Sequence, residues 1–470
     1  MDYLIRFAQV HESFRKPEIQ ALATLANIHV EFLVYSDDSP FCIVRLQDET
    51  EARKLIARSI LAKGIYELWG QGKTYRELHD DVRRRTADKW GDYLTMSFKF
   101  SFDSYRGKRS PKERNSLIQS FAFLGFQGPI IMVNPDEEFC IFEEYSRAAW
   151  EEQDKATAKG YRESPPKLEP RQLYFGRWLS KGSREAMDYY DLKKRRYIST
   201  TSMDAELALI TANMALADED KVFFDPFVGT GSFCVAAAHF GAHVFGADID
   251  GRSFRGKDRP KEKPIGLVDN MEQYGLERAF LDVFTSDLTN TPFRNVPLFD
   301  GIICDPPYGV REGLKVLGSR SGEKTEVIYK DGIPTYYLDG YIPPKRQYSF
   351  EALLDDILNF GAATLVPNGR ISLWMPTANE DDVELEIPTH PYFQLVSVCV
   401  QPFSKWSRRL LTYRKLPDNE VSEQNITRQK RSVPLGKSAD EVNAFRRKYF
   451  TKTEKPQSAR TKPSSFQGPT

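Results

Sequence analysis

The sequence predicts an α/β protein whose C-terminal half is a doubly wound, mostly parallel sheet. The first observation is a strand–turn–helix–strand pattern over residues 221–250, "KVFFDPFVGTGSFCVAAAHFGAHVFGADID", the repeating unit of such sheets. The second is a pair of later apolar strands, each followed by an aspartate, Asp287 and Asp305. The third is the length of 470 residues, which allows two or three domains.

Composition excludes several classes of protein. Lysine plus arginine and aspartate plus glutamate both total 66, so the net charge is zero, which argues weakly against nucleic acid unless basic residues cluster locally. No apolar run approaches the roughly 20 residues of a membrane helix, so no membrane partner is expected. The cysteines are isolated in apolar segments and form no C-x-x-C pair, so neither a metal site nor a disulfide framework is expected, and a reducing, cytoplasmic setting follows. They are Cys42, Cys140, Cys234, Cys304 and Cys399.

Residues 1–68 are predicted to form a small α/β domain. "YLIRFAQV" and "FCIVRL" have the pattern of strands, and "KPEIQALATLANI" and "DETEARKLIARSI" have that of helices. "GQGKT" at residues 70–74 resembles the end of a phosphate-binding loop. We do not expect that loop, because Glu67 stands where its first glycine is required.

Residues 69–150 are predicted to form a second α/β unit. "YLTMSFKFSF", "GPIIMVNP" and "EFCIFEEY" are expected strands. A helix is expected to begin after Ser110, since Glu113 completes a capping box with it.

A basic stretch, "YRGKRSPKER", surrounds the start of that helix. It is either a solvated surface or an RNA-binding site at which cations and helix N-terminal amides bind phosphate. The candidate RNA-binding residues are Arg106, Lys108, Arg109, Lys112 and Arg114.

Residues 151–190 are predicted to be a linker, because they are polar and contain "SPPKLEP". The third domain is expected over residues 191–416. Residues 417–470 are polar and rich in lysine and arginine, so a mostly disordered tail is predicted there.

The glycine turn of the third domain indicates a cationic ligand. Gly229 and Gly231 allow close approach of the backbone, but Cys234 replaces the third glycine of the dinucleotide fingerprint. Asp225 precedes the turn, and its carboxylate suits the ammonium and sulfonium of S-adenosylmethionine better than a pyrophosphate. Asp248, at the end of the next strand, is placed to bind ribose hydroxyls.

Two further cofactor contacts are expected. Asp287, after the third strand, is assigned to the adenine amino group. Thr201 is predicted to cap the helix in "TTSMDAELALITANMA", with Asp204 completing a capping box. The free amides of that helix are candidates for binding the methionine carboxylate.

The fourth strand ends in Asp305-Pro306-Pro307-Tyr308, here called the DPPY loop. The Asp305 carboxylate and the Pro306 carbonyl can each accept one hydrogen of an exocyclic amine, and Tyr308 offers a face on which a base can stack. Two acceptors localise the lone pair of a poorly nucleophilic amine and aim it at a methyl donor. Cys304 is expected to be a core residue.

Several stretches resemble the class I S-adenosylmethionine-dependent amino-methyltransferases: "DPFVGTGS", "GADID", "TSDLTNTPFRN" and "DPPYGVRE". The block "YDLKKRRYISTTSMDAELALI", with "NMEQYGL", is similar more narrowly to the catalytic subunit of eukaryotic tRNA guanine-10-N2 methyltransferases. Ser199 departs from the glycine of that family.

The resemblance implies a ferredoxin-like plus THUMP-type RNA-binding region followed by a Rossmann-like methyltransferase domain. It implies guanosine 10 of tRNA as the substrate and a small zinc-containing activator as a partner. It also implies that Arg311 contacts RNA phosphate or shapes the pocket.

Two alternatives remain at this stage. The DPPY loop equally serves adenine N6 or cytosine N4 methylation of RNA or DNA. A non-catalytic RNA-binding subunit with the same fold is the other alternative.

Overall fold

The computed structural model describes residues 1–148, 169–256, 264–309, 314–318, 327–338, 341, 343–378, 387–403 and 406–421. The chain forms two compact units. The first contains residues 1–219 and 239–241, and the second contains residues 220–238 and the described residues from 242 onward.

A seven-stranded sheet organises the first unit, in the order β2-β3-β1-β4-β7-β6-β5. The strands are β1 (Asp2–Phe7), β2 (Glu31–Val34), β3 (Phe41–Arg45), β4 (Ala62–Gly72), β5 (Phe98–Tyr105), β6 (Glu137–Glu144) and β7 (Gln172–Lys181). The antiparallel pairs β1–β4, β4–β7 and β7–β6 make the sheet continuous across the predicted boundary between residues 68 and 69.

The predicted linker, residues 151–190, is wrong over its second half. Residues 172–181 form β7, and its side chains Leu173 and Phe175 are fully buried. The run "QLYFGRWLSK" is typical of a strand, but the proline-rich segment just before it favoured the prediction of a linker. Residues 151–168 of the predicted linker lie outside the described residues.

The helices of the first unit are α1 (Glu12–Ala26), α2 (Glu49–Ile56), α3 (Tyr75–Thr86), α4 (Pro111–Gln119), α5 (Glu185–Tyr189) and α6 (Ala205–Met214). The capping box predicted for α4 is confirmed, because Ser110 and Glu113 each bond the backbone amide of the other.

The glycines of "GQGKT" serve helix packing. A Cβ at Gly70 would lie 2.5 Å from Val82 Cγ2, and one at Gly72 would lie 2.6 Å from the Leu78 amide nitrogen. Thr74 caps α3 by accepting from the Glu77 amide. The two glycines therefore let α3 pack directly on β4, and the resemblance to a phosphate-binding loop is coincidental.

The strand predicted at "GPIIMVNP" is wrong. Ile130 makes one isolated bridge with Phe98, and the side chains from Ile130 to Val133 are exposed. The apolar run resembled a buried strand, but no second strand of the described chain pairs along it.

A second seven-stranded sheet organises the second unit, in the order β10-β9-β8-β11-β16-β18-β17. The strands are β8 (Val222–Asp225), β9 (His243–Asp248), β10 (Phe280–Thr285), β11 (Phe299–Cys304), β16 (Leu365–Ala378), β17 (Phe393–Pro402) and β18 (Trp406–Lys415). The first five in this order are parallel, and β18 runs antiparallel to both neighbours, β16 and β17. The predicted doubly wound sheet is thus confirmed, and it ends in an antiparallel hairpin formed by β17 and β18.

The helices of the second unit are α7 (Ser232–His239), α8 (Arg252–Arg255), α9 (Leu267–Tyr274) and α10 (Phe350–Thr364). Its core packs Leu353 and Ile357 of α10 against Phe299 and Ile302 of β11. Short pairs follow the DPPY loop: β12 (Lys315–Leu317) with β15 (Lys345–Gln347), and β13 (Tyr329–Lys330) with β14 (Ile333–Pro334).

The predicted disordered tail lies outside the described residues from position 422 onward. In the part of the chain that is described, no helix combines the length and the apolar character needed to cross a bilayer.

Candidate active site

The glycine turn joins β8 to α7 at the carboxyl edge of the second sheet. Gly229 and Gly231 have positive φ angles of 49° and 79°. Among the described residues, a Cβ at Gly229 would meet only the Phe227 carbonyl oxygen, at 3.9 Å, so the space above it is open to a ligand. Asn270, a buried residue of α9 that the sequence analysis did not single out, donates from Nδ2 to the Thr230 carbonyl and so fixes the turn.

We expect Gly231→Ala to destabilise the turn and weaken cofactor binding. The new Cβ would lie 2.6 Å from Leu267 Cδ1, and the positive φ adds backbone strain of about 1–3 kcal/mol. Gly275→Ala is the matched control, because its φ is 68° and nothing described lies within 4 Å. Thermal unfolding and calorimetric titration with S-adenosylmethionine measure both effects. Equal loss of cofactor affinity in the two variants would contradict this account of the turn.

Three carboxylates converge at the ends of adjacent parallel strands. Asp225 ends β8, Asp248 ends β9 and Asp305 follows β11. Burial raises the pKa of Asp225 well above its usual value, and the negative charges of Asp248 and Asp305 raise it further. Burial also raises the pKa of Asp248, whose oxygens accept from the amides of Gly229 and Asp250. Such a cluster suits a positively charged ligand, because a cation offsets the mutual repulsion.

Asp287 is buried, and both of its carboxylate oxygens accept from protein donors. Its Oδ1 accepts from the amide and hydroxyl of Thr289, and its Oδ2 accepts from the Leu317 amide at 2.6 Å. The side chain therefore ties the end of β10 to the segment after the DPPY loop. A contact from Asp287 to adenine would use lone pairs that these bonds leave available.

The predicted cap at Thr201 is wrong. Helix α6 begins after Asp204, whose carboxylate accepts from the amides of Glu206 and Leu207. These amides are thus occupied, and the adjacent negative charge disfavours a bound carboxylate. Thr201 is exposed, lies in the first unit and pairs its hydroxyl with that of Ser199.

The DPPY loop forms the centre of the site. The Tyr308 hydroxyl donates to Asp305 Oδ1, and the Tyr308 ring packs edge-on against Phe350 and Trp406. Burial raises the pKa of Asp305, although the bond from Tyr308 and the charge of Arg408 oppose this rise. Among the residues that the structure describes, no protein group donates to the Pro306 carbonyl oxygen. Asp305 and Pro306, consecutive residues of the DPPY loop, thus each offer an acceptor.

Cys304 is fully buried in β11, and burial raises the pKa of its thiol well above the usual value. It is a core residue, as predicted. No group of three or more potential metal ligands occurs in the described ranges.

A cation that the sequence analysis did not single out, Arg408 of β18, faces the DPPY loop. Its Nη1 lies 3.7 Å from Asp305 Oδ2. Arg408 lies 103 positions after Asp305 in the chain, so no pattern of neighbouring residues could predict this contact.

The basic stretch of the first unit divides into two kinds of residue. Arg109 is not part of an exposed surface: its side chain is 7% exposed and forms an ion pair with fully buried Glu143, to which Tyr75 and Tyr145 also donate. Lys108, Lys112 and Arg114 are exposed. Arg106 is half-buried over the Tyr105 ring. Arg311 lies outside the described residues.

A parallel sheet with an acidic glycine turn after one strand and a DPPY loop after another defines a class I S-adenosylmethionine-dependent amino-methyltransferase. Two family models match the chain: the Tmrp11 THUMP N-terminal domain over residues 1–184 and the RMKL-like methyltransferase domain over residues 193–318. The tRNA (guanine(10)-N(2))-methyltransferase of Saccharomyces cerevisiae is 41% identical over 456 residues, covering 95% of this chain and 98% of its own. This chain belongs to the tRNA (guanine(10)-N(2))-methyltransferase family.

Other relatives agree. The enzyme of the same name from Schizosaccharomyces pombe is 34% identical, covering 96% of both chains. Thermus thermophilus TrmN, a solved structure, aligns with 88% of this chain and all of its own, at 16% identity and a TM-score of 0.42. That structural likeness is too weak to support a functional conclusion. The methyl donor is S-adenosylmethionine, whose positive charges fit the carboxylate cluster.

Proposed function

We propose that this chain transfers a methyl group from S-adenosylmethionine to the exocyclic N2 of guanosine 10 in tRNA. The observation that carries the proposal is the pair of acceptors, Asp305 Oδ and the Pro306 carbonyl, beside the carboxylate cluster at the same edge of the sheet. Family membership over nearly the full chain supports tRNA as the substrate.

When bound, the cofactor supplies an electrophilic methyl group. Asp225 and Asp248 would hold its cationic and ribose parts, Gly229 and Gly231 would admit it, and Asp287 would face its adenine.

Asp305 and Pro306 accept the two amine hydrogens, so the nitrogen lone pair points at the methyl group. The nitrogen acquires positive charge as its new bond forms, and the Asp305 carboxylate is placed to take the released proton. Its raised pKa makes it a stronger base than an exposed aspartate. Tyr308 orients the carboxylate through its hydroxyl.

Mass spectrometry of nucleosides tests the reaction. Unmodified tRNA is incubated with the full chain, its proposed activator and S-adenosylmethionine, then digested. We expect N2-methylguanosine. The appearance of N6-methyladenosine or N4-methylcytidine in its place would overturn guanine as the target.

The exposed cations next to α4 are proposed to bind tRNA phosphate. The double substitution Lys112→Ala/Arg114→Ala should weaken tRNA binding and lower the slope of log affinity against log salt by about 1.5, since each phosphate contact contributes about 0.7–0.9. Lys181→Ala, which removes an exposed lysine from β7, should leave the slope unchanged. An unchanged slope in the double variant would show that Lys112 and Arg114 are solvated and do not contact phosphate.

Arg109→Ala should behave in the opposite way. It leaves Glu143 charged and buried without its cation, so the free energy of unfolding should fall by about 3–5 kcal/mol. Where the variant is folded, its salt slope should match that of the wild type. A reduced salt slope together with normal stability would show instead that Arg109 contacts RNA phosphate.

We further propose the small zinc-containing activator as a partner, bound at the open edge of the second sheet. Strand β10 ends that sheet, and its Leu281 side chain is 46% exposed, as are Ile265 at 51% and Val268 at 46% in the same unit. An apolar open edge is a site for pairing with another chain.

Leu281→Lys should abolish co-purification of the activator. Leu395→Lys is the control, because Leu395 is 40% exposed on β17 at the opposite edge. Co-purification that survives Leu281→Lys but not Leu395→Lys would place the activator at the other edge. A cytoplasmic location is also proposed, because all five cysteines are buried and none forms a disulfide, as in a reducing compartment.

A further inference from the structure

Arg408 is rigidly held beside the proposed amine acceptor. Its Nε and Nη2 both donate to Gln401 Oε1, at 3.0 and 2.7 Å. Its guanidinium carbon lies 4.9 Å from the Trp374 ring centroid and 5.6 Å from that of Phe403. These contacts aim Nη1 at Asp305 Oδ2, 3.7 Å away, and leave the side chains of Arg408 and Asp305 only 16% and 22% exposed.

The order of polar groups along this wall is distinctive. The two Asp305 oxygens are acceptors, and Arg408 Nη1, 3.7 Å from Asp305 Oδ2, is a donor. An acceptor–acceptor–donor row matches the Watson–Crick edge of guanine, which presents N2–H, N1–H and the O6 acceptor in that order. Adenine and cytosine instead place a ring-nitrogen acceptor next to their amine, where it would face the Asp305 carboxylate.

We propose that Arg408 is the residue that selects guanine: it donates to O6 while Asp305 accepts from N1–H and N2–H. Enzymes that act on a base bind its Watson–Crick edge after taking it out of the stack. Arginine suits this role because its planar guanidinium keeps two donors on Gln401 while a third faces the base. The inference rests on the proposed function and supplies the base specificity that the DPPY loop alone leaves open.

The test compares tRNA carrying guanosine at position 10 with tRNA carrying 2,6-diaminopurine there. Diaminopurine keeps the 2-amino group but replaces N1–H by an acceptor and O6 by an amine. The wild type should prefer guanosine in kcat/KM by about tenfold to a hundredfold, the range that one good arginine–guanine contact provides. Arg408→Met, which keeps packing on Trp374 and Phe403 but loses the donor, should lower kcat/KM for guanosine by a similar factor and reduce the ratio. The preference that remains reflects guanine N1–H, from which Asp305 still accepts.

Two further variants separate specificity from folding. Arg409→Met is the matched control, because Arg409 is the next residue of β18 and points to the opposite face of the sheet. It should keep the wild-type preference. Arg408→Lys should retain part of the preference, since it restores a donor without the planar geometry. Calorimetric titration with S-adenosylmethionine and thermal unfolding verify that each variant is folded and binds the cofactor.

The outcomes are distinguishable. A wild-type preference that Arg408→Met leaves intact, or a wild type that methylates both bases equally, overturns the role of Arg408. A wild type that methylates neither base overturns the proposed function itself, and this inference with it.

Discussion

Asp305→Ala abolishes methyl transfer, with an expected fall in kcat of about 10²- to 10⁴-fold, the range for loss of a positioned acid–base group. The carboxylate aligns the amine and takes its proton, so no neighbouring acceptor replaces both roles. Affinity for tRNA should stay within a few-fold of wild type, because Asp305 contacts one amine, whereas tRNA affinity depends mainly on phosphate contacts. Single-turnover kinetics with saturating tRNA, together with filter binding, separate the two quantities.

Asp418→Ala is the matched control for Asp305→Ala. Asp418 is an exposed carboxylate after β18 in the same unit and lies outside the proposed machinery. It should leave the rate unchanged. A rate for Asp305→Ala within tenfold of wild type would show that the amine is activated elsewhere.

Asp225→Asn should weaken the binding of S-adenosylmethionine but stabilise the cofactor-free protein. The affinity for S-adenosylmethionine should fall by about 10- to 100-fold, because a neutral amide replaces a charged acceptor. The cofactor-free variant should unfold at a higher temperature at neutral pH, by about 2–4 °C if about 1 kcal/mol is gained. The reason is that Asp225 is buried, near Asp248 and Asp305, and Asn retains an acceptor for the Phe227 amide.

The pH dependence follows from the direction of the shift. The pKa of Asp225 is raised in the folded protein, so the folded state binds this proton more tightly than the unfolded state. Below the ordinary carboxyl pKa, Asp225 makes its full contribution to the free energy of unfolding. That contribution is lost as pH rises through the raised pKa of the folded protein. The gain from Asn should therefore be large at pH 7–8 and vanish near pH 4. A gain that is equal at both pH values would contradict the burial of a titrating carboxylate.

The second unit was predictable from sequence because its signals are local. Each parallel strand is a short apolar run, and the aspartates at positions 225, 248 and 305 follow such runs directly. Parallel strands end at one edge, so these carboxylates had to meet. The positions of the glycine turn and the DPPY loop were predictable for the same reason.

The features that could not be predicted from the sequence depend on partners distant in the chain. Strand β7 is defined by pairing with β4, about a hundred residues earlier. Arg109 belongs to the same basic stretch as its exposed neighbours, but Glu143 of β6, 34 residues later, forms an ion pair with it. The cap of α6 differed because the helix begins three residues later than predicted, after Asp204, whose carboxylate accepts from the amides of Glu206 and Leu207. Arg408 comes near Asp305 because β18 pairs with β16, the neighbour of β11.

The position of the methyl group in tRNA tests the central claim most directly. A tRNA transcript is methylated with isotopically labelled S-adenosylmethionine by the full chain with its activator, then cut by a base-specific nuclease, and the fragments are weighed. We expect label only in the fragment that contains guanosine 10, recovered as N2-methylguanosine, and none after guanosine 10 is replaced by adenosine. Label in another fragment, or label that survives the replacement, would contradict it.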